Sequence, residues 1–185
     1  LIYKVKGADA FDAIHDMLGR FAGRRLAVDE AVHASESATG DRNRAIGWML
    51  RNYGIVKDDV NAVLEAYFRQ CAVLVTARDL AVMAATLANN GVNPVTGERV
   101  VSPLAVARTL SVMTSSGMYD YAGEWVYRVG MPAKSGVGGG IIAALPSQIG
   151  LGTYSPMLDE HGNSVRGLRL CEDLSSYLDL HVLNR

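Results

Sequence analysis

Residues 132–145 read Pro-Ala-Lys-Ser-Gly-Val-Gly-Gly-Gly-Ile-Ile-Ala-Ala-Leu, which places a cation, a hydroxyl and a glycine run directly before an apolar run. A second apolar run, 149–154, follows the turn-forming residues 146–148. Two short apolar runs separated by a turn predict an antiparallel hairpin of buried strands. Lys-Ser-Gly at a strand edge suits acyl transfer, because it offers polar contacts and glycines that let a substrate approach the backbone. A plain strand start at a close-packed corner is the alternative interpretation.

Upstream of this hairpin, apolar residues recur at helical spacing. The pattern predicts helices over 9–22, 41–53, about 58–71, 76–88 and 102–115. Downstream, 165–170 is either a strand or a helix start, and 172–183 is predicted as an amphipathic helix with Leu174, Leu178 and Val182 on its apolar face. We therefore predict an α+β fold in a single domain, 1–185, with a helical lobe over 1–130 and sheet strands plus a final helix over 131–185.

The bulk properties exclude several classes of protein. The 185 residues carry a net charge of −1, so no basic surface indicates nucleic acid, and no apolar run approaches the ~20 residues that span a bilayer. Cys71 and Cys171 are predicted as buried reduced thiols, with a disulfide left open. Neither cysteine nor histidine spacing indicates a metal site, and the four histidines have no evident partners. The first residue, Leu1, is not an initiator Met, which indicates a piece of a longer chain; we expect a cytoplasmic location.

Two polar clusters outside the glycine-rich segment contain candidate site residues. In the first, 36–43, Glu36 suits an ammonium group and Asn43 a polar substrate, although helix capping by Thr39 or Asp41 with an exposed Glu36 is the alternative. In the second, 115–120, Tyr119 follows a glycine and could act in proton transfer, or be an ordinary half-buried tyrosine. Tyr67 lies in an apolar helical stripe and is interpreted from the pattern as a core aromatic.

Seven ordered motifs resemble the serine-dependent glutaminase family, and they extend over almost the whole chain. They lie at 36–47, 82–89, 96–100, 117–120, 132–137, 155–159 and 162–167. Lys134-Ser135-Gly136 by itself also resembles the third motif of serine β-lactamases and penicillin-binding proteins. The resemblance implies a β-lactamase-like fold and hydrolysis of L-glutamine to glutamate and ammonia, with no metal or organic cofactor.

The resemblance also implies roles for individual residues. Glu36 would take the α-ammonium group of glutamine, and Asn43 and Tyr67 would bind its amino-acid end. Tyr119 would lie near the nucleophile, and Val137 would supply a backbone N–H to the oxyanion hole. Lys134, Ser135 and Gly136 would support the strand edge. Family members commonly assemble as dimers or tetramers, so a homo-oligomer is expected.

The chain departs from the family pattern in one respect, because no serine is followed by lysine three residues later. The family's Ser-x-x-Lys nucleophile lies upstream, so this chain is interpreted as the C-terminal part of a glutaminase catalytic domain that partners its own N-terminal segment. Two alternatives follow. Either this chain is a non-catalytic fragment or interaction module, or its parent is a penicillin-recognising relative.

Overall fold

The computed structural model describes residues 1–184, which form two compact units. The first unit comprises residues 1–19 and 24–74. Its elements are α1 (Ile2–Lys6), a 3-10 helix (Gly7–Asp9), most of α2 (Ala10–Ala22), β1 (Ala27–Val28), α3 (Glu30–Thr39), α4 (Asp41–Asn52), α5 (Val60–Cys71) and β2 (Val73–Leu74). β1 and β2 pair in antiparallel fashion, with Ala27 opposite Leu74.

The second unit comprises residues 20–23 and the chain from Val75 onward. Its elements are the end of α2, α6 (Ala77–Ala88), α7 (Pro103–Ser116), a 3-10 helix (Tyr119–Tyr121), α8 (Ala122–Arg128), β3 (Ala133–Ser135), β4 (Gly140–Leu145), β5 (Ile149–Tyr154) and α9 (Val165–Leu178). The α+β prediction is confirmed. The boundary proposed at residue 130 between two lobes of one domain stays a prediction.

Several helix starts follow from their capping residues. Asp59 accepts the Asn61 N–H at 2.9 Å and begins α5. Thr76 and Asp79 form a capping box at the start of α6, because each side chain accepts the other residue's backbone N–H. Ser102 caps α7 directly before Pro103. These starts are confirmed at the positions where the sequence predicts them.

The predicted antiparallel hairpin is also confirmed, but the prediction that both strands are buried is wrong for β5: β4 is largely buried, whereas β5 is mostly half-buried and ends at the exposed Tyr154. β3, β4 and β5 form an antiparallel sheet in that order, with Ser135 opposite Ile141 and Ile141 opposite Thr153. One face, including Ile141, packs against Trp125 and Cys171. The other face packs against the backbone of α6. An alanine Cβ at Gly150 would lie only 2.0 Å from the Ala85 nitrogen, so this close approach requires glycine.

The last helix differs from its prediction. α9 begins at Val165, where Ser164 caps it, and ends at Leu178, where Asp179 adopts the left-handed conformation. Its buried residues are Gly167, Cys171 and Ser175, so the predicted apolar face is wrong: Leu178 and Val182 are exposed. Small residues let the helix approach the sheet closely, and the Ser175 hydroxyl is satisfied because it donates to the Val129 carbonyl at 2.7 Å.

Each unit contains one of the two tryptophans. Trp125 is fully buried in the second unit, and its indole N–H donates to the Met131 carbonyl at 2.7 Å. Trp48 in α4 is 52% exposed. Within residues 1–184, no helix combines the length and apolar character needed to cross a membrane.

The two cysteines are free and differ in environment. Cys171 is buried, whereas Cys71 is exposed, so the prediction of two buried thiols is wrong for Cys71. Burial raises the pKa of Cys171 to about 12, which removes its thiolate at neutral pH. We expect a maleimide to label Cys71 in the native protein and Cys171 only after denaturation, as checked by peptide mass spectrometry. Equal native labelling of both peptides would contradict the burial of Cys171.

Candidate active site

Three of the candidate residues lie together in the first unit, on three consecutive helices. Glu36 lies on α3, Asn43 on α4 and Tyr67 on α5. Glu36 and Tyr67 both influence the pKa of the Cys71 thiol. Burial raises the pKa of Cys71, a hydrogen bond with Tyr67 opposes this shift, and the Glu36 carboxylate adds to it. Both side chains therefore lie near the Cys71 thiol.

Asn43 and Tyr67 line a common cavity of about 270 Å³. The rest of its lining is apolar and comes from α4, α5 and the segment between them: Ile46, Gly47, Leu50, Val56, Val60, Val63 and Leu64. An amide and a phenol at an apolar cavity can fix the orientation of a small polar ligand, because few polar groups compete with them there.

Gly40 determines how closely α3 and α5 approach. It lies between α3 and α4, and an alanine Cβ there would lie 2.4 Å from the Phe68 ring and 2.8 Å from the Glu36 carbonyl oxygen. Phe68 is fully buried and neighbours Tyr67, so this contact connects the helix of Glu36 to the helix of Tyr67.

The structure corrects the alternative interpretations of this group. Glu36 is half-buried and lies within α3, a helix that the sequence analysis did not predict and that Asp29 caps. Gly40 stands at the start of α4, so neither Thr39 nor Asp41 is its capping residue. Tyr67 is 44% exposed, so it is not a core aromatic; Phe68 occupies the core position instead.

The remaining candidates lie together in the second unit, around the end of β3. The Tyr119 hydroxyl donates to the Ser135 carbonyl at 3.2 Å, and the Lys134 ammonium contacts the same carbonyl. The Lys134 nitrogen also lies 4.5 Å from the centre of the Tyr119 ring, in a cation–π contact. Partial burial lowers the pKa of Lys134. Tyr119 is 40% exposed and can contact both this carbonyl and a ligand.

Ser135 contributes to this group through its backbone. Its carbonyl accepts from Tyr119, whereas its side chain is fully buried on the face of the sheet that carries Ile141. Within residues 1–184 the Ser135 hydroxyl has no hydrogen-bond partner. The supporting role that the resemblance implies for Ser135 stays a prediction, and the Ser135 atom that meets Tyr119 is its carbonyl oxygen.

Gly117 brings the Tyr119 segment against β3. The Ser135 N–H donates to the Gly117 carbonyl at 3.0 Å. An alanine Cβ at position 117 would lie 1.8 Å from the Ala133 carbonyl oxygen, so no other residue permits this approach.

Val137 follows β3 and is 71% exposed. Among the described residues, no acceptor pairs with its backbone N–H, while the neighbouring Gly136 N–H is bonded to the Gly140 carbonyl at 2.9 Å. An N–H without a protein acceptor, next to a hydrogen-bonded turn, can stabilise an oxyanion, because the turn fixes the direction of the donor.

One residue pair beside this group was missed by the sequence analysis. His161 Nδ1 lies 3.0 Å from Asp120 Oδ1, although these residues are 41 positions apart. Sequence spacing gave no signal for this pair. Within residues 1–184, no group of three or more His, Cys, Asp or Glu side chains could hold a metal ion.

Comparison with known proteins gives the family. The sequence model of the family named Glutaminase matches residues 1–183. The chain belongs to the glutaminase family. It is 74% identical over all 185 residues to Glutaminase 2 of Bradyrhizobium diazoefficiens, and 50% identical over 184 residues to a glutaminase of Microcystis aeruginosa. A crystal structure of Mglu in its glutamate form superposes with a TM-score of 0.93 at 48% identity over 96% of this chain.

This glutaminase chain is shorter than its relatives. It spans 30% of the Bradyrhizobium protein, 54% of the Microcystis protein and 41% of the Mglu chain. The predicted family and fold are confirmed. The roles that the resemblance implies for individual site residues stay predictions.

Proposed function

We propose that the protein carrying this chain hydrolyses L-glutamine to L-glutamate and ammonia through a serine acyl-enzyme. The observation that carries the proposal is the family match over residues 1–183. Relatives that are 74% and 50% identical are named glutaminases, and a structural neighbour is named for its glutamate form. The nucleophilic serine of a Ser-x-x-Lys motif would come from the sequence upstream of Leu1.

The proposed reaction has two steps. The serine oxygen attacks the side-chain amide carbon of glutamine, the C–N bond breaks, and the nitrogen leaves as ammonia after gaining a proton. Water then attacks the resulting ester and releases glutamate, which regenerates the serine hydroxyl. No metal or organic cofactor takes part in either step.

The first-unit group would hold the amino-acid end of the substrate. In this proposal Glu36 pairs with the α-ammonium group, while Asn43 and Tyr67 contact the α-carboxylate end. Their arrangement supports these roles, because Glu36 and Tyr67 both lie near the Cys71 thiol and Tyr67 shares a cavity with Asn43.

The second-unit group would serve the reacting amide. The free N–H of Val137 would stabilise the oxyanion, and Tyr119 would assist proton transfer. Lys134 supports the second role, since its positive charge over the Tyr119 ring and its contact with the Ser135 carbonyl hold the phenol in place. Ser135 and Gly136 shape the turn that presents Val137.

The direct test measures ammonia release by the full-length protein with glutamine, asparagine and a penicillin as separate substrates. We expect ammonia from glutamine, and a covalent ester on a serine upstream of this chain when the reaction is trapped. Absence of release at every glutamine concentration would contradict the proposal, as would acylation by the penicillin alone. The proposal also includes assembly as a dimer or tetramer, measured by light scattering, and a cytoplasmic location, measured by fractionation.

Replacing Glu36 with Gln should raise the KM for glutamine, because an ion pair with the α-ammonium is replaced by a weaker neutral contact. A hydrogen bond to a charged group contributes about 1.5–3 kcal/mol, which corresponds to roughly 10–150-fold in kcat/KM. Steady-state kinetics check this change. Glu30→Gln on the same helix is the matched control and should leave KM unchanged, since its side chain is 75% exposed and its ion-pair partner within residues 1–184 is His33. Equal effects of the two substitutions would exclude a substrate contact by Glu36.

A further inference from the structure

The Asp120–His161 pair lies beside the Tyr119 group and has no part in the mechanism above. The His161 ring is bonded to Asp120 at 3.0 Å and contacts the Tyr121 ring, with 5.4 Å between ring centres. His161 therefore touches both residues that follow Tyr119 in its 3-10 helix.

The loop that carries His161 is held firmly by its own hydrogen bonds. Asp159 Oδ1 accepts the backbone N–H of His161 at 3.0 Å and that of Asn163 at 2.8 Å. Ser164 at the end of the loop caps α9. Because these hydrogen bonds hold the loop, the His161 imidazole can restrain the 3-10 helix of residues 119–121 that it contacts.

The same loop also borders the two reacting-end residues of the site. A Cβ placed on Gly162 would lie 3.6 Å from Val137 Cγ1 and 3.9 Å from Tyr119 Cε2. A shift of the loop relative to residues 119–121 would therefore change the surroundings of both Tyr119 and Val137.

Tyr119 needs such a restraint because of its backbone. Its φ of 56° lies in the left-handed region, which disfavours residues with a Cβ. Residues held in that region persist where surrounding contacts determine their conformation. The contacts of Asp120 and Tyr121 with His161 are among those that hold the segment.

We propose that His161, acting through Asp120, is a positioning residue that holds Tyr119 in its left-handed conformation, and that protonation of the imidazole strengthens this hold. The inference rests on the proposed function in one respect, namely that Tyr119 contacts the reacting substrate.

The charged groups around His161 support the proposal that protonation of the imidazole strengthens its hold on Tyr119. Asp120 faces it from the 3-10 helix, Asp159 and Glu160 from its own loop, and the uncharged ring of Tyr121 completes the contact. The hydrogen bond to Asp120 raises the pKa of His161, partial desolvation opposes the shift, and the three carboxylates add to it. Because folding raises the pKa of His161, the Asp120–His161 ion pair is fully present below about pH 6.5, the ordinary histidine pKa. The ion pair is lost as the pH rises through the pKa of His161 in the folded protein.

The experiment uses three variants of the full-length protein. His161→Asn keeps an N–H donor for Asp120 without the charge, and His161→Leu removes both. Glu160→Gln is the matched control, because it removes an exposed carboxylate that lies 3.9 Å from the same imidazole and that, within residues 1–184, forms no hydrogen bond or ion pair with residues 119–121. Glutamine turnover is measured from pH 5 to 9, and variant-to-wild-type ratios cancel the titration of shared groups.

We expect His161→Leu to lower kcat about two- to fivefold below pH 6.5, the range of a partly exposed ion pair, with little change in KM. The ratio of the wild-type kcat to the His161→Leu kcat should fall as the pH rises, until it equals the same ratio for His161→Asn. The His161→Asn ratio itself should not change with pH. Glu160→Gln should keep the wild-type kcat at low pH, and its advantage over His161→Leu should end at a lower pH, because one of the carboxylates that raise the pKa of His161 is removed. A constant ratio between wild type and His161→Leu at every pH, or identical kcat values, would overturn the proposal.

A second readout does not depend on activity. In protein labelled with fluorotyrosine, and with signals assigned by Tyr119→Phe, the Tyr119 resonance should shift with the His161 titration and lose this response in Asp120→Asn. If this coupling is present while no ammonia is released, the proposed function fails and the positioning role stands. If ammonia is released but the Tyr119 resonance does not shift with the titration of His161, the positioning role of His161 is wrong and the proposed function stands.

Discussion

Replacing Val137 with proline should lower kcat for glutamine by about 10²–10³-fold, the usual effect of removing one oxyanion donor. Proline lacks the backbone N–H, and this N–H has no acceptor among the described residues, so its loss breaks no structural hydrogen bond. The effect should therefore fall on turnover, with KM and the melting temperature nearly unchanged. Steady-state kinetics and thermal denaturation of the full-length protein give both quantities.

Val137→Ala is the matched control for this experiment. It removes the exposed side chain and keeps the N–H, so it should retain wild-type kcat. If the alanine and proline variants have equal activity, the N–H of Val137 does not stabilise the transition state. A proline variant with a strongly lowered melting temperature would show that the residue acts through the turn instead.

Replacing Gly117 with alanine should destabilise the protein by about 3 kcal/mol or more and abolish turnover, at the upper end of the range for overpacking. The added Cβ would lie 1.8 Å from the Ala133 carbonyl and 2.5 Å from the Met113 carbonyl, and both are backbone atoms that cannot rotate away. Relief requires the segment of Tyr119 to move from β3, which breaks the bond between the Ser135 N–H and the Gly117 carbonyl. Urea denaturation and ammonia release measure the two effects.

Gly123→Ala provides the opposite case. A Cβ at this position meets no atom within 4 Å, and Gly123 lies within α8. We expect this variant to be stabilised by about 0.5–1 kcal/mol, because alanine favours the helix over glycine. Unfolding of Gly117→Ala at the same urea concentration as Gly123→Ala would contradict the close approach of residue 117 to β3.

The sequence predicted those elements whose ends carry local chemical signals. Three helices begin with a side-chain cap whose hydrogen-bond partner lies within three residues in the sequence. The capping residues are Asp59 for α5, Thr76 with Asp79 for α6, and Ser102 for α7. The hairpin of β4 and β5 was likewise predicted from two apolar runs and the turn between them. Local interactions of this kind can be identified without knowledge of the tertiary structure.

Predictions from the sequence are wrong where tertiary contacts determine which side chains are buried and which side chains meet. α9 buries Gly167, Cys171 and Ser175 because a small-residue face packs closely, and apolar periodicity does not detect such a face. Tyr67 and Phe68 are adjacent in sequence, and only the packing of α5 decides that Phe68 is buried and Tyr67 is exposed. The pair formed by Asp120 and His161 depends on two loops distant in sequence.

The identities of the site residues came from the motif resemblance, whereas their contacts required the structure. Composition and spacing alone favoured capping for the Glu36 cluster and a core position for Tyr67, and both interpretations were wrong. The resemblance predicts Val137 as an oxyanion donor, which stays a prediction; among residues 1–184 no acceptor pairs with its N–H. The sequence contained no signal that the Ser135 carbonyl, and not its hydroxyl, would meet Tyr119.

The placement of one tryptophan in each unit gives the chain two intrinsic optical probes. Trp125, enclosed and bonded to the Met131 carbonyl, should emit at short wavelength and resist quenching by iodide. Trp48, half exposed on α4, should emit at longer wavelength and be quenched readily. Fluorescence during denaturation can therefore follow the two halves of the chain separately, and can show whether they lose their structure in one transition or in two.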